Sequence, residues 1–424
     1  MKFIFADSLD MIDPAYDFIA DRSAPGRARY WSDKYPHEFF KVAPYDGVLV
    51  SRGIVGDHRV TGKYSESQAM RFRRVGAREF LRLTGPRFKH FSIFGDCGAF
   101  SYVDQATPPY TSDDMVEFYQ DGRFTHGCSV DHIIFDFDAT KLEGTAGGNS
   151  RARERFDITQ ENARKFLKAS KGLGRGFTPL GVVQGWSPGS MAKAAQNLQK
   201  MGYAYLALGG MVPLASPAVH LCLDAIRRVV KPSMKLHILG FAKAEQIGEF
   251  TRHRIASFDS TSPLIRAFKD ARANYYAPGK NGSLNYFTAI RIPQATENAR
   301  LRRKAKEGGV LQTRLAQMET RALSTLRSFD RGKAILEETL AAVIEYNREF
   351  LLDPKLSAAK NELKVQEMAK SIRSTLIAKP WSTCRCEVCR EAGVEVIIFR
   401  SSNRNKRRGF HNLSVYYQHL RRFH

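Results

Sequence analysis

Along the first 265 residues short apolar runs alternate with amphipathic stretches, and the runs end in Gly, Asp, Gln or Ser. They fall at 2–8 (KFIFADS), 47–53 (GVLVSRG), 91–98 (FSIFGDCG), 132–138 (HIIFDFD), 180–185 (LGVVQG), 203–210 (YAYLALGG), 236–241 (LHILGF) and 255–261 (IASFDST). Near-continuous apolar character is the mark of strands buried on both faces, as in a parallel sheet. Between several runs the apolar residues recur at helical spacing. Met191, Ala194, Ala195 and Leu198 share one face of the segment 190–201; 159–170, after a turn at Asp157, behaves alike, as do 217–230 and 242–252. Eight strands alternating with helices over this length fit a (β/α)8 TIM-like barrel, which typically takes about 250 residues. An open doubly wound sheet is the alternative, but no Gly-x-Gly-x-x-Gly turn follows any strand.

Past residue 265 the pattern changes. Residues 270–293 carry PGKNGS between polar-aromatic runs, which reads as a hairpin. From 297 to 378 the spacing is helical: Leu315, Met318, Leu323 and Leu326 form one stripe, and Ile335, Leu336, Leu340 and Val343 another. The expected organisation is an α/β barrel with its hairpin over 1–295, a basic helical insert over 296–380, and a zinc-binding subdomain over 381–424.

Charge narrows the choice of partner. The chain has 66 Lys and Arg against 43 Asp and Glu, a formal charge of +23. From Leu264 onward 31 basic residues face 15 acidic ones, so +16 of that excess lies in the last third. Such a balance favours a polyanion, nucleic acid before membrane, through counterion release and steering. The runs 300–306 (RLRRKAK) and 403–411 (NRNKRRGFH) are the candidate phosphate contacts, which position a polymer without reading it. Lys2 is followed by only four apolar residues before Asp7, too few for a signal peptide, and no run approaches the ~20 residues of a membrane helix. A cytoplasmic protein is expected.

Two local features carry chemistry. Cys384-x-Cys386-x2-Cys389, followed by His411, gives three thiolates in six positions and an imidazole, a tetrahedral set for a structural zinc ion. His411 is favoured over His419 and His424. Cysteines crowded in this way suit a metal in a reducing compartment better than a disulfide framework. The second feature is Asp259, a carboxylate ending a buried run. Strand interiors exclude unpaired charge, whereas strand ends are where α/β folds place catalytic groups, so Asp259 is the candidate nucleophile.

With these residues in view, the chain resembles the tRNA-guanine transglycosylase superfamily over 91–263 and 384–420. The pieces that match, in order, are FGDCGAF, FDFD, GVVQG, LALGG, LGF and FDSTSP, then CRCEVC and HNLSVYYQHL. It departs from the tRNA enzymes in Cys97 and Ala99 of DCGAF, in the helical insert, and in the stretch between Cys389 and His411. As a whole it looks most like the DNA-modifying 7-deazaguanine branch (DpdA). That resemblance implies a pentosyltransferase of a DNA modification system, replacing guanine in DNA with 7-cyano-7-deazaguanine alongside an ATP-hydrolysing partner protein. It implies Asp259 as nucleophile and Asp96 as general acid/base. It implies base recognition by Asp136, Gln184 and the Gly210 backbone, with Phe100 and Leu239 sandwiching the base. Asp138 is the alternative to Asp136. A tRNA transglycosylase, or a silent nucleic-acid-binding subunit of such an enzyme, are the competing readings; retention of Asp96, Asp136, Gln184 and Asp259 together argues against the silent subunit.

Overall fold

The computed structural model describes residues 1–241 and 243–423. Eight parallel strands close into a barrel in chain order: β1 (Lys2–Ala6), β2 (Gly47–Ser51), β3 (Ser92–Asp96), β4 (His126–Cys128), β5 (Thr178–Val183), β6 (Tyr205–Leu208), β7 (Lys235–Ile238) and β8 (Ser257–Ser260). The closure pairs Ile4 of β1 with Asp259 of β8. Inside, Ile4, Leu49, Phe94, Cys128, Leu180, Val182 and Ala207 pack with Tyr205 into one buried cluster. These are the inward members of each strand's two-residue alternation. The barrel interior is therefore a packed core, and chemistry is left to the strand ends.

Helices cover the outside where the apolar stripes require. Pro188–Met201 buries Met191, Ala194, Ala195 and Leu198, and Ser187 caps its first turn by accepting from the Ser190 amide. The helix expected at 159–170 begins earlier, at Ser150, because Asn149 caps it through the Ala152 amide. The stretch expected to be helical at 242–252 contains 3-10 turns over Ala244–His253; Ala242 lies outside the described residues.

The fourth strand departs from expectation. The run 132–138 is not a strand; β4 is the three-residue segment before it. The reason lies in side chains that take over the ladder. The Ser129 hydroxyl accepts from the Val182 amide, and the Gln184 carboxamide oxygen accepts from the Ile134 amide. Strand pairing between β4 and β5 ends there, and Asp131 turns toward Gln184.

Two compact units emerge. The first comprises residues 1–10, 45–261 and 423–424, and holds the barrel. The second comprises 11–44 and 262–422. It contains the expected hairpin (Tyr275–Pro278 with Leu284–Phe287) and, among its helices, Ala299–Lys306, Gln312–Asp330, Leu336–Leu351 and Ala358–Ala378. It also contains the cysteine cluster.

The second unit also corrects the reading of 403–411 as a solvent-facing phosphate contact. That run lies in the helix Ser402–Leu420, where Arg404, Arg407 and Arg408 are at most 1% exposed. Arg404 pairs with Asp21 and Glu395, Arg407 with Glu391, and Arg408 donates to the carbonyls of Ala267, Val396 and Ile398. The guanidinium groups are spent on carboxylates and carbonyls of the same unit, as buried charge requires. In the other run Arg302, Arg303 and Lys306 are exposed, while Lys304 pairs with Glu349. Among the described residues no helix is long and apolar enough to cross a membrane.

Candidate active site

The carboxyl ends of β2, β3, β7 and β8 gather the polar groups. Ser51 and Asp96 are register partners at the ends of β2 and β3. The Ser51 hydroxyl bonds the Asp96 carboxylate, and Ser51 itself accepts from the Gly53 amide. Asp96 is partly accessible, but its Oδ1 is enclosed and has no hydrogen-bond partner among the described residues. Burial raises its pKa to about 7, with the neighbouring Asp259 and Asp131 charges adding to the shift and the Ser51 hydrogen bond opposing it. A carboxyl group titrating there can give and take a proton at neutral pH.

Asp259, the third residue of β8, is 7% exposed. Its Oδ1 accepts from the Gly240 amide at 3.0 Å and lies 3.2 Å from His237 Nε2. Gly240 adopts φ +66°, and a Cβ there would press on Val212. The turn after β7 thus needs glycine to aim its amide at the carboxylate.

Between these two carboxylates and the base-reading candidates sits Asp131, which the sequence reading missed. It is buried; its Oδ1 accepts from Cys97 Sγ at 3.1 Å and its Oδ2 from Gln184 Nε2 at 2.7 Å. Burial raises its pKa, and those two donors oppose the rise. Gln184 is held at both ends, by Asp131 and the Ile134 amide, so its amide plane is fixed. Gly209 and Gly210 lie against it. A Cβ on Gly209 would collide with Gln184 Nε2, and Gly210, at φ +70°, would place one 3.2 Å from Gln184 Oε1.

The remaining expected residues are exposed or partly buried. Asp136 is exposed and accepts from Asn149 Nδ2 at 2.7 Å; Asp138 turns to the Thr140 amide and hydroxyl. With no strand at 132–138, the period-two argument that set these two aspartates on one face does not apply. Phe100 is 61% exposed with its ring 6.4 Å from that of Phe135, itself half exposed. Leu239 is partly buried against the barrel core.

Compared with known proteins, a curated protein of Salmonella montevideo named DNA-guanine transglycosylase is 38% identical over 422 residues, which cover 99% of this chain and 96% of that protein. The chain belongs to the DNA-guanine transglycosylase family. No family model matches it. The family assignment makes it a transglycosylase.

This transglycosylase also carries a metal-ligand cluster in its second unit. Cys384, Cys386, Cys389 and His411 bring their ligand atoms within 4.8 Å of one another. His411 Nδ1 lies 3.6, 3.4 and 3.3 Å from the three sulfurs in that order. A tetrahedron with Zn–S of about 2.3 Å and Zn–N of about 2.0 Å has S–N edges near 3.5 Å, so the cluster fits such an ion. Nε2 of His411 lies 2.7 Å from the Tyr276 carbonyl, which fixes that nitrogen as the donor and leaves Nδ1 as a ligand. Tyr275 stacks on the imidazole at 4.0 Å and bonds Cys389 Sγ. His424 lies outside the described residues.

Proposed function

We propose that the protein exchanges guanine in DNA for a 7-deazaguanine base, 7-cyano-7-deazaguanine, by two displacements at the sugar C1′. Asp259 attacks C1′ as the C1′–N9 bond breaks, and guanine departs with its electron pair and a proton from Asp96. The incoming base then gives its N9 proton to Asp96 and attacks C1′, returning the bonding pair to Asp259. The proton account closes, and a covalent aspartyl-sugar carries the strand between the two steps. The observation that carries this reading is the division between the two carboxylates. One accepts from the Gly240 amide and lies beside His237 at the end of β8; the other is enclosed, with a pKa raised to about 7.

Asp136, Gln184 and the Gly210 backbone read the base edge in this account, and Phe100 and Leu239 hold its faces. Asp131 fixes Gln184. Phosphates of the strand meet exposed basic residues such as Arg302 and Lys306. DNA rather than tRNA is favoured by the name of the curated relative. A paired guanine has to be extruded first, which costs a few kcal/mol; an ATP-hydrolysing partner would supply that work in a duplex. The cysteine cluster would hold zinc in a structural role, since four protein ligands leave the ion no open position.

The test is exchange of labelled guanine into polymer. Protein incubated with free radiolabelled guanine and either single-stranded DNA, duplex DNA or tRNA is expected to put label into DNA and to lose that ability as Asp259→Asn. Label entering tRNA alone would refute DNA as the substrate.

A further inference from the structure

A polar chain runs through the barrel interior and ends on the nucleophile assigned above. The Tyr205 hydroxyl on β6 lies 2.6 Å from Ser257 Oγ on β8, which lies 2.5 Å from His237 Nδ1 on β7. His237 Nε2 in turn lies 3.2 Å from Asp259 Oδ1. His237 and Ser257 are register partners, and Ser257 and Asp259 share a face of β8 by the two-residue alternation. His237 and Ser257 are wholly buried, and the imidazole stacks on Phe94 at 5.0 Å. Here one nitrogen meets a hydroxyl chain and the other the reacting carboxylate.

The proton positions follow from the acceptor at the end. An ionised Asp259 only accepts, so His237 Nε2 carries the hydrogen and Nδ1 is the acceptor. Ser257 must then donate to Nδ1, which leaves its oxygen to accept from Tyr205. All three hydrogens point toward Asp259. The Gly240 amide lands on the same oxygen, whereas Oδ2 receives no hydrogen bond from any described residue. One oxygen is anchored twice and the other is free to attack.

We infer that His237, set in its tautomer by Ser257 and Tyr205, is a positioning residue that assigns attack to Asp259 Oδ2 and speeds release of the sugar from it. In the covalent state Oδ2 is bonded to C1′ and Oδ1 is the ester carbonyl oxygen. When the incoming base attacks, the C1′–Oδ2 pair returns to the carboxylate, and the two N–H donors on Oδ1 stabilise the charge that appears there. The base loses its N9 proton to Asp96, whose carboxyl group feels the Asp259 charge. The donors stabilise the free carboxylate more than the ester, so their loss weighs on breakdown of the adduct rather than on its formation.

This rests on Asp259 being the nucleophile, and the experiment separates the two claims. Adduct is formed on a guanine-containing single-stranded oligonucleotide, then chased with excess free guanine, and its decay is followed by denaturing gel. His237→Phe keeps the ring stack and removes both nitrogens; His237→Gln keeps an N–H donor; Ser257→Ala leaves the imidazole but frees its tautomer. Expected are decay about tenfold slower in His237→Phe, partial recovery in His237→Gln, an intermediate rate in Ser257→Ala, and oligonucleotide affinity unchanged within about twofold. Decay within about twofold of the parent rate in His237→Phe, with Asp259→Asn silent, overturns the role of His237 alone. Adduct formed by Asp259→Asn at the parent rate overturns the nucleophile and this inference with it. Should His237→Phe fail to fold by circular dichroism, Ser257→Ala decides: unslowed decay overturns the inference.

Discussion

Removing the Ser51 hydroxyl tests whether Asp96 is tuned for proton transfer. In the parent protein burial and two neighbouring carboxylates raise Asp96 to about 7, and the Ser51 hydrogen bond is the leading opposing influence. Ser51→Ala deletes that bond and leaves the enclosed Oδ1 as it was. A hydrogen bond to a charged group contributes about 1.5–3 kcal/mol, and one pKa unit corresponds to about 1.4 kcal/mol. The expected consequence is a rise of about one to two units. Guanine departure needs the protonated acid, so the single-turnover rate of adduct formation should fall as pH rises through that pKa. In Ser51→Ala the fall should move to higher pH by about one to two units, with the plateau below it little changed. The assay is a quench-flow or manual time course on a single-stranded oligonucleotide from pH 5.5 to 9.5. A basic limb that stays where it was, in a folded variant, would refute the assignment of Asp96 as the acid.

The same shift predicts a stability effect. Asp96 holds its proton in the folded state between the ordinary carboxyl range and about pH 7, where the unfolded chain has lost it, so stability falls as pH rises through that window. Asp96→Asn should therefore gain melting temperature over the parent at pH 8 and differ little at pH 4; equal differences at both would contradict the raised pKa. Cys386→Ser should reduce bound zinc, measured by plasma emission, from one ion per chain to well below one, with a melting temperature lower by several degrees. Zinc unchanged in that variant would remove Cys386 from the ligand set. Arg404→Ala takes one of two arginines from each of Asp21 and Glu395, which keep Arg400 and Arg327, and should cost about 1.5–3 kcal/mol in urea unfolding, the scale for hydrogen bonds to charged groups. A cost under 1 kcal/mol would return Arg404 to the surface.

The barrel was legible because seven of its eight strands are written as continuous apolar runs, a pattern little else produces. β4 was not. Its three residues, His126 to Cys128, are too few and too polar to show, while the conspicuous run after them has its ladder partners replaced by the Ser129 and Gln184 side chains. The same substitution hid Asp131. His237 was missed although its signal resembles that of Asp259: a polar residue inside an otherwise apolar strand, LHIL. The run 403–411 misled because its pairing partners, Asp21, Glu391 and Glu395, are set by tertiary structure that local charge counting does not see. The cysteine spacing, by contrast, is a local geometric constraint, and the four ligands it named are the four the fold brings together.

The most direct test of the exchange account is to locate the covalent bond. A single-stranded oligonucleotide is incubated with the protein without acceptor base, quenched in denaturant, digested with protease and nuclease, and the peptides are mapped by tandem mass spectrometry. The account predicts a deoxyribose-derived mass on the peptide containing Asp259, fragmenting to that residue, and its absence from Asp259→Asn. A sugar mass on a different side chain, or full guanine exchange in Asp259→Asn, would contradict it.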